Sequence, residues 1–557
     1  PQHHRATPHK EQHPHAHHTT PPHVSVVIAG RQRPDPSRTR KLRPPAPMVL
    51  RPPGRGRAGH HRAHTTPPPP TQNDGRGKTN NNQTYSLGLP TVPTSVCMGH
   101  HYYVNIPYDP NHPEPELEAD RLMLQSAVVL RLGRLMLASG AGSYRVKSSM
   151  ARAASAVGLD RHEATVTMTE LVTSSFVGER FRTETCEVRR VGVNVDRLEA
   201  LRRIVHDLRA HETVEHLNRK LDEIEGMHAL YGGFANAAAS GVACAGFCFL
   251  NQGGWVECLS VLAAAFIGQF VRRQMLGRQY QHFFTWMVCG VVASGVYMSI
   301  VSLLHVTGAV TGDHQGGIIS AILFLIPGFP MVTSMLDLAR QDFSSALSRA
   351  AYVLVVMASA GVAVWTVTFL FHWEVGATDV AVPSGFLLHA LRCFCSFIAA
   401  YGFAMLFNAG AKASLLAAVV GALANTGRLV LIDEFHVPWQ LAVGLAAVTI
   451  GLLAQLFVSR ASLSRVALSV PAVVIMIPGV PFYRAISALN NQTVEANVAV
   501  GQAAGNLAEV FFVITAIGVG LAVARILTDH NWRHDVATSE HVILPESHGS
   551  AMERGRG

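Results

Sequence analysis

Two strings, Ile326-Pro327-Gly328-Phe329-Pro330 and Ile477-Pro478-Gly479-Val480-Pro481, repeat the order Ile-Pro-Gly-x-Pro at a separation of 151 residues, each inside a long apolar run. Shifting the other apolar runs of the first half by the same interval lands within a few residues of runs in the second. The C-terminal two-thirds therefore reads as an internal duplication. A helix that meets two such prolines loses its hydrogen-bond ladder, and the carbonyls of Leu323 and Ile326 are expected to lose their partners. In lipid, such groups survive only where protein buries them or a watery cavity reaches them. Broken helices at matching positions of two repeats point to a transporter's binding site.

The composition agrees with a membrane setting: 48% of residues are hydrophobic and 15% charged. The formal charge of +9 is misleading, because residues 1–112 hold 14 Lys/Arg against 4 Asp/Glu and the rest of the chain is close to neutral. No nucleic-acid-binding face follows from it. The eight cysteines form no CxxC pair and no Cys/His cluster, so neither a metal nor another cofactor is expected.

Residues 1–112, rich in Pro, His and Arg with a PPPP run, cannot bury enough apolar surface to order themselves and are read as a disordered tail. The chain opens on Pro1 rather than Met, so Met48 and Met98 are read as alternative starts. Residues 115–228 carry a soluble pattern. Helical spacing through Leu122, Val128, Leu132 and Leu135 leads to a second helix from about Ser143 to Val157. Two strands are expected at 164–176 and 181–191, then a helix capped by Asp196 and another from Thr213 to Met227. This is a small α+β domain. His211 and His216 do not make a zinc motif, because five residues place them about 140° apart around a helix. No histidine–carboxylate set accompanies Thr167, Thr169, Thr173, Ser174 or Ser175, so no enzyme is expected.

From residue 229 the chain enters the bilayer. Ten spans are placed at 229–250, 254–271, 284–305, 316–336, 347–372, 384–407, 411–432, 438–458, 466–489 and 500–527, each near the ~20 residues a crossing needs. Basic residues such as Arg272, Arg340, Lys412 and Arg465 fall in loops on one side, and acids such as Asp313, Glu374 and Asp433 on the other. Both termini are thus expected in the cytoplasm. Five spans per repeat is an odd number, which makes the repeats 229–372 and 384–527 inverted, with a disordered tail at 528–557.

A broken helix supplies opposite poles to a zwitterion. Carbonyls before the break suit an ammonium, and the helix start from Phe329 to Thr333 suits a carboxylate. The candidate substrate-binding residues are Pro327, Gly328, Pro330, Thr333, Pro478, Gly479 and Pro481, the glycines allowing close backbone approach. Gln502, Asn506 and Glu509 share one face of the last span. Gln502 and Asn506 join the substrate set, and Glu509, deep in an apolar run, is the candidate proton carrier.

Ser139-Gly140-Ala141-Gly142-Ser143-Tyr144-Arg145-Val146, with Gly158-Leu159, resembles the N-terminal domain of the threonine/serine exporter family. Pro327-Gly-Phe-Pro330 followed by Asp337-Leu338, Asp342 and Ser348-Arg349 resembles that family's signature after its fourth span, and Pro478-Gly-Val-Pro481 its counterpart. Gln341 departs from the pattern, where the resemblance implies glycine. The resemblance covers roughly 115–528. It implies proton-driven export of threonine, serine or related amino acids across the cytoplasmic membrane, and it brings in Asp337 as a second proton-coupling candidate. Related two-subunit members are associated with dicarboxylate export, so succinate-like substrates are the alternative, and a membrane-tethered hydrolase using 115–228 is a remoter one. The implied partners are the substrate, protons and the bilayer; a homo-oligomer is compatible with the sequence.

Overall fold

The computed structural model describes residues 114–533 except 190, 311–313, 315, 372–384, 462 and 491–495. The expected tail at 1–112 lies outside the described residues, as does that at 528–557 beyond 533; residues 528–533 are described and include a short helix, His530–Arg533, where disorder was expected.

The N-terminal layer contains α1 (Glu114–Ala138), α2 (Ser143–Ala156), β1 (Arg161–Val166), β2 (Glu170–Val177), β3 (Arg180–Glu187), α3 (Val195–Asp207) and α4 (Val214–Glu225). The strands form an antiparallel meander, with Val166 opposite Leu171 and Phe176 opposite Phe181. The expected strand 164–176 is in fact two strands. The chain reverses at Met168-Thr169, closed by Thr167 N–H donating to Glu170 O at 2.9 Å. That turn has no Gly, Pro, Asn or Asp to announce it. Alternation on β2 turns Leu171, Thr173 and Ser175 inward onto Val128, Leu132, Met150 and Leu201. Gly133 lets α1 and α2 close up, since a Cβ there would collide with Met150 Sδ. The cap of α3 is Asn194, whose side chain accepts from Arg197 N, rather than Asp196.

Eight further helices are long and apolar enough to cross a membrane, among the described residues. They are α5 (Gly233–Leu250), α6 (Trp255–Gly277), α7 (His282–Val306), α10 (Phe343–Leu370), α11 (Phe386–Leu406), α12 (Ala411–Asp433), α13 (Trp439–Ala461) and α16 (Ala496–Thr528). Each duplicated motif breaks a shorter stretch. The first comprises α8 (Gly317–Ala321), a 3-10 turn (Leu323–Leu325) and α9 (Gly328–Ala339); the second comprises α14 (Arg465–Val474) and α15 (Gly479–Asn490), bent by 44° and countable as a ninth span. A short α17 (His530–Arg533) ends the described chain.

Packing repeats with the motif. In the first half α5 packs on α6, α6 on α7 and α7 on α10; α8 lies against α5, α6 and α7, and α9 against α10. In the second half α11 packs on α12, α12 on α13 and α13 on α16; α14 lies against α11, α12 and α13, and α15 against α16. The halves meet through α5 with α11 and through α9 with α16. Large apolar side chains such as Leu303, Phe386 and Phe511 cover the outside of the bundle.

Gln341, where the family pattern implies glycine, has φ 60° just past the end of α9. This is the left-handed position that closes many helices and suits glycine. Gln341→Gly is expected to stabilise the protein by about 1 kcal/mol, read as a higher melting temperature in detergent with activity unchanged.

Candidate functional site

The two breaks fold alike. In the first, Ile326 N donates to Leu323 O at 3.0 Å and Gly328 N to Ile326 O at 2.8 Å; in the second, Ile477 N donates to Val474 O at 3.2 Å and Gly479 N to Ile477 O at 2.8 Å. These tight turns correct the expectation that Leu323 and Ile326 lose their partners. The chain shortens its hydrogen bonds from four-residue to three- and two-residue spans instead of leaving them open. The first break has two extra donors. Arg272 Nη1 reaches Phe324 O at 3.0 Å, and Trp286 Nε1 reaches Leu325 O at 2.9 Å. Among the described residues no side chain does the same for Ile475 or Met476 in the second.

The breaks also touch each other. A Cβ on Gly328 would lie 2.8 Å from both Ile477 Cδ1 and Val474 Cγ2, and one on Gly479 would lie 2.9 Å from Ile326 Cδ1. Each glycine therefore admits the opposite break. Beside them is a small apolar cavity lined by Met331, Val332, Met335, Ile477, Ile514 and Ile517. Pro327, Gly328, Pro478 and Gly479 thus converge.

Thr333 and Asp337 lie further along α9 in a second constellation. Asp337 and Arg349 are both buried, with Arg349 Nε 3.1 Å from Asp337 Oδ2. Ser345 Oγ donates to the same oxygen at 2.8 Å, and Arg349 Nη1 donates to Thr333 Oγ1 at 3.3 Å. The N-terminal layer completes this cluster. Arg349 Nη2 donates to Ala141 O at 2.9 Å, and Ser143 N donates to Asp337 Oδ1 at 3.1 Å. Helix α2 starts at Gly142, which has no side chain to cap it. Its exposed N–H groups and dipole are answered instead by a carboxylate from the bundle. A Cβ on Gly142 would stand 3.2 Å from Asp337 Oδ1, so the close seat favours glycine. Tyr144 continues the contact, with Arg340 Cζ 4.4 Å above its ring.

Asp342 is the second anchor. It accepts from Ser143 Oγ and from Lys147 Nζ, each at 2.6 Å. Burial pushes its carboxyl up, but the bonds from Lys147 and Ser143 and the Lys147 charge outweigh that and hold it below the ordinary range. A depressed carboxyl contributes stability that is complete above its unfolded value, about 3.9, and is lost as pH falls through the lowered folded value. Asp342→Asn is therefore expected to destabilise docking by about 1.5–3 kcal/mol at neutral pH and to converge with the parent protein well below pH 4. Melting curves against pH check this. Parallel curves at all pH values would contradict it.

Further docking bonds join Val195 N to Phe407 O at 2.9 Å, Asn408 Nδ2 to Asn194 Oδ1 at 2.9 Å, and Ser464 N to Glu199 Oε2 at 2.9 Å. Gln502, Asn506 and Glu509 do share a face of α16. Gln502 is exposed, Asn506 and Glu509 are half-buried, and Asn506 Nδ2 donates to Gln502 O at 2.8 Å. Among the described residues no hydrogen bond joins these three to either break.

Within the sheet, His162 Nδ1 lies 3.0 Å from Ser175 Oγ. Burial pushes the imidazole down to about 4, and Ser175 is fully enclosed. No carboxylate orients the ring among the described residues, so this pair has neither the access nor the third partner of a nucleophilic site.

Sequence reasoning gave no site role to Ser345, Arg272 or Trp286 and quoted Arg349 only within the family string. Arg272 and Trp286 act through carbonyls 52 and 39 residues away, and Arg349 reaches Ala141 across 208 residues. One signal was present: Ser345 and Arg349 stand four apart, hence on one helix face.

Models of the threonine/serine exporter family match residues 127–371 and, for "Threonine/Serine exporter, ThrE", residues 392–527. Two curated relatives are each named "Probable succinate transporter subunit YjjP". The one from Escherichia coli K12 is 23% identical over 42% of this chain and 89% of its own length. The one from Klebsiella aerogenes is 24% identical over 41% of this chain and 84% of its own. No solved structure matches.

Proposed function

Because this chain belongs to the threonine/serine exporter family, we propose that it exports small amino acids of the threonine and serine kind across the cytoplasmic membrane, driven by the proton gradient. The observation that carries this reading is the pair of like-folded breaks packed face to face, the arrangement expected where two repeats share a central site. In this reading the halves are inverted repeats, α8–α9 and α14–α15 complete ten crossings, and the N-terminal layer closes the cytoplasmic end with both termini on that side. Both halves lie in one chain, so the central site needs no partner subunit.

The asymmetry between the breaks suits a zwitterion. Arg272 and Trp286 occupy the carbonyls of the first break and leave it electropositive together with the start of α9. A substrate carboxylate belongs there, near Gly328 to Thr333. The ammonium belongs at the second break, where the carbonyls of Ile475 and Met476 face no side-chain donor among the described residues. In the structure the breaks are in contact, so loading requires the halves to part. Glu509, with Arg484 as the charge in electrostatic reach, is the proposed proton carrier of the second half, while Asp337 is committed to Arg349.

The relatives' names favour a second reading, export of a dicarboxylate. Proteoliposomes preloaded with labelled threonine, serine or succinate separate the two. Threonine or serine efflux accelerated by an inward proton gradient is expected. Efflux of succinate alone would establish the second reading, and efflux of none of the three would end both.

A further inference from the structure

The Ser139–Val146 string gives Ala141 and Ser143 to the docking cluster and Tyr144 to Arg340, but Arg145 takes no part in it. Arg145 stands in the first turn of α2, which holds no acidic residue. A cation there opposes the helix dipole, so its position does not serve the helix. Arg465, the first residue of α14, repeats the conflict, and that first turn has no acid either. The two positive helix starts meet at one junction. Arg145, Arg465 and Arg525, the last from the final turn of α16, lie within electrostatic reach of one another. Aromatic rings fix the geometry. Trp532 of α17 packs edge-on against Tyr144 with ring centroids 6.1 Å apart, and Arg525 Cζ lies 4.8 Å and Arg340 Cζ 5.2 Å from the centroid of the Trp532 ring.

Counter-charge is short at this junction. Glu199 and Asp529 are the carboxylates within reach of Arg145 and Arg525. Glu199 accepts from Arg202 Nη2 at 2.6 Å and from Ser464 N at 2.9 Å, and Asp529 Oδ2 lies 3.5 Å from Arg465 Nη1. Four guanidinium groups, Arg145, Arg202, Arg465 and Arg525, thus face two carboxylates, both engaged already. Among the described residues the side chains of Arg145 and Arg525 make no hydrogen bond and no ion pair, and both are half-buried. Their donors are open to solvent while like charges are held together, an arrangement that an anion stabilises.

The chemistry selects the anion. A carboxylate satisfies one guanidinium fork and carries one charge. A phosphoryl group carries about −1.5 to −2 at neutral pH and offers several strong acceptor oxygens. It therefore matches both the surplus of cations and their approach from separate elements, and planar guanidinium forks suit it. We propose that Arg145, Arg465 and Arg525 form a phosphoryl-anion site that ties α2 of the N-terminal layer to α14 and α16. The site holds whichever substrate is carried and uses none of the residues assigned to export.

The test melts the full chain in phosphatidylcholine nanodiscs without phosphate, with inorganic phosphate, with sodium chloride at equal ionic strength, and with phosphatidic acid added to the bilayer. Inorganic phosphate at ten times its dissociation constant is expected to raise the melting temperature by about 2 °C, and chloride to leave it unchanged. A shift with phosphatidic acid and none with inorganic phosphate assigns the same site to a lipid headgroup rather than a soluble phosphate. Arg145→Gln and Arg525→Gln are each expected to weaken phosphate binding at least about tenfold. Without phosphate each is expected to melt no lower than the parent, because each relieves repulsion between like charges. Lys412→Gln, exposed at the start of α12, is expected to keep the parent's response. The proposal is overturned if neither phosphate source shifts the parent, if chloride matches phosphate, or if the two arginine variants respond in full. Melting well below the parent by both arginine variants without phosphate would also overturn it, making the arginines a structural clasp on Trp532. None of these readouts depends on transport, so failure of the export reading leaves the test intact.

Discussion

Arg349→Met is expected to destabilise the protein by about 3–5 kcal/mol, the cost of leaving a buried carboxylate without its cation. Arg349 is 1% and Asp337 3% exposed at the side chain, so solvent cannot take over. The same change removes the donor to Ala141 O and so loosens the N-terminal layer. Adding Asp337→Asn is expected to recover most of the loss, because the amide oxygen can still accept from Ser143 N while its NH2 donates to Ser345 Oγ, without needing a counter-charge. Melting of the detergent-solubilised single and double variants measures the coupling. A cost below about 1 kcal/mol for Arg349→Met, the range of an exposed pair, would show that water enters the cluster. A double variant no more stable than the single one would place the energy in packing. Export adds a second readout. If the docked layer is a cytoplasmic closure, the stable double variant transports with altered gating even though its melting temperature recovers.

Much of the bundle was legible before any coordinates, for a physical reason. A helix in lipid must satisfy its backbone internally over a fixed thickness, so length and apolarity locate spans such as 411–432 to within a residue or two. The breaks were legible because proline removes a donor wherever it stands. Their repair was not. Arg272 and Trp286 reach the first break from α6 and α7, and no local pattern encodes that reach. The hairpin at Met168-Thr169 was hidden by its residues, which lack a turn signature and continue the β-branched run on either side. The docking cluster was half visible. Asp337, Asp342 and the Ser139–Val146 string stood out separately, but their meeting spans nearly two hundred residues of chain. Glu257 and His314 were passed over because an acid at the start of a span looks like an ordinary helix-end residue. Only its complete burial against His314, a fact of three dimensions, makes it unusual.

Gly328→Val is expected to cut export by at least about tenfold, an added barrier of about 1.4 kcal/mol, and Ile477→Ala in the same chain to restore much of it. The new branched side chain would start 2.8 Å from Ile477 Cδ1 and Val474 Cγ2, so the breaks must separate or distort. Overpacking of this kind typically costs about 1–3 kcal/mol. It acts on the closed arrangement, in which the two turns are in contact, and so traps the halves apart. Shortening Ile477 removes the atoms in the way and leaves the backbone of the second break unchanged. The reciprocal pair, Gly479→Val with Ile326→Ala, is expected to behave alike, because Ile326 Cδ1 stands 2.9 Å from the Cβ position of Gly479. Rescue across the breaks distinguishes two roles for the glycines. If they serve only to let a ligand approach the backbone, truncating the opposite isoleucine cannot help, and both double variants stay inactive. If they let the breaks close on one another, each isoleucine change rescues the glycine it faces and not the other one. Export by the four single and four double combinations, with surface expression as the control for insertion, reads this out, and rescue of the wrong glycine would remove face-to-face closure as the reason for the duplicated motif.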